Sequence, residues 1–129
     1  MAGTQTISVT TNTKFATNQK RSEDVWDIVA TSIHDATGDE AVTEAIPFNG
    51  IIRHVTITIP LTTTTGTTSQ ILVKDNGDNT VFDSGEIAEN ATHNFSVDLP
   101  LSGIIDVSVE PSAAAGAGGN TTTVGLRGI

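Results

Sequence analysis

The chain has 129 residues, no cysteine, four phenylalanines, one tryptophan, no tyrosine and a net charge of −9. That length is one domain, long enough to bury a core. The missing cysteines exclude disulfides, thiolate metal sites and a thiol nucleophile, and so acidic a chain would repel the phosphates of nucleic acid. Threonine is the outlier, at 22 residues; it is β-branched and suits half-exposed strand positions. This is the composition of an all-β domain.

The charge is uneven. Residues 1–24 carry Lys14, Lys20 and Arg21 against Glu23 and Asp24, whereas Arg53, Lys74 and Arg127 face the other 13 of the 15 acids. MAGTQTISVTTNTK has no apolar core of the kind a secretory signal needs, so synthesis in the cytoplasm is expected. Residues 5–10 read as one short strand in an otherwise polar stretch. Residues 1–24 are therefore expected to form an N-terminal arm, extended or disordered when free, ahead of a β-sandwich over 25–129. Such an arm can bind partners by adding a strand such as TISVT to a neighbouring sheet; the alternative is that TISVT pairs within its own body. Ile7 and Val9 would lie on that strand, Phe15 would anchor it, and Lys14, Lys20 and Arg21 would pair with acidic groups.

From Val25 the pattern changes. VWDIVATSI reads as a buried strand with Trp26 in the core, HDATGDE as a turn, and AVTEAIPF as a second strand with Pro47 near its end. Asn49 and Gly50 are a hairpin signal. IIRHVTITIP then alternates, with Ile51, Val55, Ile57 and Ile59 expected on one face and Ile52, His54, Thr56 and Thr58 on the other. LTTTTGTTS is a low-complexity surface loop. QILVKD and TVFDSG are strands joined by the tight turn NGDN. THNFSVDL places His93, Phe95, Val97 and Leu99 on one face. PLSG reads as a turn, and IIDVSVEP places Ile105, Val107 and Val109 inward. A tract of Ala and Gly precedes the closing strand, TTTVGLRGI. The small side chains of this tract allow close backbone approach, which makes Ala114, Gly116 and Gly118 candidate contacts with another chain. Eight short body strands between turns indicate a sandwich, best a jelly roll, with an immunoglobulin-like Greek key as the alternative.

The chemistry-bearing residues do not assemble into a motif. DNGDN, from Asp75 to Asn79, has the oxygen-rich look of a calcium loop, and Glu86 falls at the twelfth position. Gly77 occupies the third position, where an acid or amide is needed, and strands rather than helices flank it, so an ordinary turn is expected. His34, His54 and His93 lie on separate runs without zinc-ligand spacing. No serine sits on a nucleophile elbow, and no carboxylate pair stands out for glycoside hydrolysis. No catalytic residue, metal or other cofactor is expected.

The polar start MAGTQTISV, the middle run VTITIPLTTTTGTTSQILV and the closing TTTVGLRGI resemble small virion proteins of tailed bacteriophages, most of all capsid decoration (cement) proteins. The resemblance implies a non-enzymatic structural protein of the virion. It would bind the major capsid protein or another virion protein, would be a homo-oligomer, most simply a trimer, and would attach through an extended terminus. DNGDNTVFDSG and PLSGIIDVSVEP also resemble secreted prepeptidase-type sandwich modules. The alternatives are a carbohydrate- or calcium-binding module and a neck or tail protein. No nucleic-acid or membrane partner is expected.

Overall fold

In a computed structural model, the backbone is described for residues 5–14 and 25–129 except 65, and side chains for 27–129 except 65. Among the described residues, seven strands form one antiparallel sheet: β1 (Gln5–Lys14), β2 (Val25–His34), β3 (Val42–Ile59), β4 (Thr68–Lys74), β5 (Thr80–Ala88), β6 (Ala91–Pro111) and β7 (Asn120–Gly128). Their order is β1-β2-β7-β3-β6-β4-β5. The all-β class stands, with seven strands rather than one arm strand and eight body strands.

The count differs because two expected turns are not turns. Asn49 and Gly50 do not close a hairpin, and PLSG does not end a strand. β3 runs for 18 residues and β6 for 21, and they pair along their whole length, with Gly50 opposite Leu101 and Phe48 opposite Gly103. The turn signals mark a place where this ribbon bends. Gly103 has a φ of 89°, which a β-carbon would strain, and that carbon would also lie 2.7 Å from Asn76 Cγ. At Gly50 it would lie 2.7 Å from the carbonyl oxygen of Ile129.

The bend folds the sheet over itself. β7 pairs only with residues 52–58 of β3, and β4 only with residues 106–111 of β6. One layer therefore contains β1, β2, β7, the second half of β3 and the first half of β6. The other contains the first half of β3, the second half of β6, β4 and β5. Between them lies one core, drawn from both layers: Ile28, Val55, Ile57, Val124 and Leu126 on one side, Ile46, Ile71, Val73, Ile105 and Val107 on the other. Half-buried Phe95, Val97 and Leu99 pack against it.

The alternation in β3 needs one correction. Ile52, not Ile51, is fully buried with Val55, Ile57 and Ile59. The register slips between Ile52 and His54, so a bulge at Arg53 exchanges the two faces on its N-terminal side. Several of the described threonines lie on outer faces. Thr31, Thr123, Thr58 and Thr92 form one row across β2, β7, β3 and β6.

The expected strand at 5–10 extends to Lys14, and all ten of its residues pair with β2. β2 begins at Val25, and β1, within the expected arm, belongs to the same sheet. The Trp26 side chain lies outside the described residues.

Candidate functional site

Four connections gather at one end of the sandwich: residues 35–41, 60–67, 89–90 and 112–119. Glu89 is the hub of two of them. Its carboxylate accepts hydrogen bonds from the Thr62 hydroxyl and from the backbone N–H of Thr62, the latter at 3.0 Å. The Thr62 hydroxyl holds the Glu89 carboxyl below the usual carboxylate range, helped by the backbone N–H groups of Thr62 and Gly66 and opposed by desolvation. The threonine-rich loop is thus tied to the β5–β6 connection, and Thr62 and Thr67 are buried.

That loop in turn holds the Ala/Gly tract. Thr64 N–H and the Thr63 hydroxyl both donate to the carbonyl of Ala115, at 3.0 and 2.9 Å, and Ala115 is 1% exposed. Of the candidate contact residues, Ala114 is half-buried. Gly116 is committed within the chain, its N–H donating to Ala36 O at 3.1 Å. Gly118 is exposed. The tract is a pinned loop with a small exposed crest at Ala117 and Gly118.

The DNGDN turn lies between β4 and β5. Asp75 Oδ1 accepts from the N–H groups of Gly77 and Asn79, each at 2.9 Å, and from the Asn79 amide at 3.2 Å. The backbone N–H of Asn79 is the chief cause of a lowered Asp75 carboxyl. Those N–H donors face the oxygen that a cation would need, so this is turn chemistry. Asn76 Oδ1 accepts from Ile104 N–H at 3.0 Å and ties the turn to the ribbon bend. The side chain of Gln70 on β4 lowers the carboxyl of Asp83 on β5, with help from Gly85 N–H. Among the described residues, no three His or acidic side chains are grouped to hold a metal ion.

The three histidines remain apart. His54 Nε2 meets Asn94 Oδ1 at 3.1 Å on an outer face, and His93 Nε2 meets Ala88 O at 2.9 Å. His34 is 1% exposed, with Nε2 on Glu40 O at 2.8 Å. It belongs to a buried polar patch with Ser32, Asn120 and Thr122. In the register, Ser32 faces Thr122 and His34 faces Asn120. The sequence reading missed this patch. Its only signal was parity, because Ser32 and His34 continue the inward series begun by Ile28 and Ala30.

One depression on the outer face of the second layer encloses about 230 Å³. Ala41 and Leu72 supply its apolar lining, and Thr43, Ser108, Lys74, Asp78 and Asp106 supply polar groups. Lys74 lies opposite Asp106 in the register and 3.7 Å from Asp78 Oδ1. Two more open hollows flank the ribbon bend, near Pro47, Phe48 and Ile104 and near Ile51, Pro100 and Leu101.

Of the candidate arm residues, Ile7, Val9 and Lys14 sit on β1, where the register places Ile7 beside Ser32 and Val9 beside Ala30. Phe15, Lys20 and Arg21 lie outside the described residues.

No family model matches the chain, and no curated protein matches it. Among solved structures, the Yersinia pseudotuberculosis-derived mitogen is similar over 81% of this chain and 85% of its own, at 6% identity and a TM-score of 0.44. The carbohydrate-binding module TmCBM61, solved with β-1,4-galactotriose, is 13% identical over 96% of this chain and 83% of its own, with a TM-score of 0.44. The enzymatically active domain of bacteriophage CBA120 tailspike protein 4 is 16% identical over 98% of this chain and 18% of its own, with a TM-score of 0.36. Similarity this remote says nothing about what the chain binds.

Proposed function

We propose that this chain is a non-enzymatic structural component of a phage virion, attached to a capsid surface as a decoration protein is. The observation that carries the reading is the use made of its carboxylates. Asp75, Asp83 and Glu89 each accept hydrogen bonds from the neighbouring turn, strand or loop, so these carboxylates are engaged in holding turns and loops together. The shell as partner follows from the resemblance of the sequence to decoration proteins and from its charge split, a slightly basic N-terminal segment on an acidic body.

The two-layer arrangement supports the finer reading of the fold as a jelly roll. Counting β3 and β6 as two half-strands each gives two four-stranded layers, with β1 added at the side of one.

A second reading, a carbohydrate-binding module, is favoured by the depression at Leu72. It has the size of a sugar ring, an apolar lining and hydroxyl, ammonium and carboxylate groups around it. Two assays separate the readings. The purified chain should co-sediment saturably with shells built from the major capsid protein of the same genome and show no specific signal on a glycan array. Glycan binding that is lost in Asp106→Ala, with no shell binding, would establish the second reading and remove the first.

A further inference from the structure

We infer that the first half of β6 is a self-association edge, through which two copies of the chain join their sheets antiparallel about a two-fold axis. This inference concerns the chain alone and holds whether or not it attaches to a shell.

The sandwich has four edges, and they are not protected equally. β5 is blunted by two register shifts against β4 and carries Asp83 and Glu86. The first half of β3 carries Glu44 and an exposed Pro47. β1 carries Lys14 at its end. Charges, bulges and prolines are the usual devices against edge-to-edge pairing. Residues 91–99 of β6 pair with β3 on one side, and among the described residues no strand pairs with the other side. Over those nine residues, ATHNFSVDL, there is no lysine and no proline, and the register with β3 is regular from Ala91 to Ser96 before it shifts towards Leu99. The single ionised group, Asp98, is already paired with Arg53 at 3.1 Å. An edge about 30 Å long, regular over its first six residues, is thus left open.

The edge also borders an incomplete core. Phe95, Val97 and Leu99 point inward, yet they are only half-buried, as are Val81 and Ile87 of β5 across the gap. The flank between β6 and β5 is the side on which the sandwich is least covered. At the opposite flank β1 extends the first layer and approaches β3.

The occupant that fits is a second copy, because the strand is self-complementary. A two-fold axis through Phe95 aligns all nine residues. It sets Asn94 opposite the partner subunit's Ser96, and Asp98 opposite the partner subunit's Thr92. No like charges meet, although the chain carries −9 overall, and the half-buried rows of the two copies become one continuous row. Isologous pairing of this kind closes on itself as a dimer, in contrast to the trimer that the resemblance implies.

Sedimentation equilibrium of the full chain from about 5 to 500 µM tests this, with Val97→Lys as the edge-blocking variant and amide hydrogen exchange on the native chain as a second readout. We expect a mass approaching twice 13.4 kDa, a return to 13.4 kDa in Val97→Lys, and protection of alternate amides in residues 91–99 that rises with concentration. A native chain that stays at 13.4 kDa throughout overturns the inference. So does a dimer that Val97→Lys leaves intact, or one whose formation leaves these amides unprotected. If Val97→Lys does not fold, the amide pattern of the native chain decides alone.

Discussion

Phe82 and Phe95 meet edge to face across the sandwich, with ring centroids 5.2 Å apart and planes at 75°. Phe82 lies on β5, the outermost strand of the second layer, and Phe95 on the half of β6 that borders the first. In the sheet order β4 stands between their strands, so the contact exists only because the sheet folds over. The pair therefore reports closure of the sandwich rather than pairing of neighbouring strands. Phe82→Ala should cost about 3 kcal/mol and Phe95→Ala, which is half-buried, about 1–2 kcal/mol. A double-mutant cycle in urea unfolding should return a coupling of about 1 kcal/mol. Strict additivity would mean that the two layers do not close through these rings.

The bend of the β3–β6 ribbon makes a contrasting pair of predictions. A methyl group at Gly50 meets the backbone oxygen of Ile129, whereas one at Gly103 meets the Asn76 side chain. A side chain moves more easily than backbone. Gly50→Ala should therefore destabilise more than Gly103→Ala, by about 2 kcal/mol or more against about 1–2 kcal/mol, the latter including the cost of a positive φ. Thermal denaturation of the two variants checks the order, and the reverse order would place the bend elsewhere.

Glu89 predicts an acid response at the loop end. Its carboxyl in the folded protein lies below the ordinary value of 4.5. The carboxylate form thus contributes stability that is fully present above about pH 4.5 and lost as the pH falls through the lowered folded value. The amide resonances of Thr62 and Gly66 should shift together in that acid range, followed by those of Ala115 and Gly116 as the pinned tract is released. Glu89→Gln should remove the titration. Coincident unfolding of the whole chain, with no earlier local change, would contradict a hub at Glu89.

The N-terminal segment makes a separable claim. Deleting residues 1–20 removes all of β1 and its pairing with β2 and leaves the buried rows of β2 to β7 intact. The truncated chain should remain folded by circular dichroism, melt at lower temperature and lose its attachment to shells. Retained attachment at full occupancy would move the binding element to the loop end or the acidic outer faces.

The strands were legible because alternation is strict. In 91–99 and 105–109 every expected inward residue points inward, and Thr31, Thr58, Thr92 and Thr123 take outer positions as β-branched polar residues do. What misled was the turn chemistry at Asn49, Gly50 and PLSG. Glycine and proline announce a change of direction, but a local signal does not say whether the strand ends or the whole ribbon bends with its partner still attached. The slip at Arg53 was hidden for a related reason: a bulge is a relation between two strands. The Glu89–Thr62 junction and the His34–Asn120 patch join residues 27 and 86 positions apart, a proximity that only the register supplies. The loop LTTTTGTTS looked featureless because the hydrogen bonds within it, from the Thr62 and Thr67 hydroxyls to Thr64 O, are joined by others to Glu89 and Ala115, distant in the sequence.

The central claim is that this chain is a structural protein of a virion surface. Cryo-electron microscopy of matched shells with and without the added chain tests it most directly. The account predicts discrete added density at symmetry-related positions on the shell, of a volume fitting one or more 13.4 kDa copies, with the sandwich standing on the lattice and residues 1–20 in contact with it. Shells that acquire no density at saturating chain concentration would contradict it.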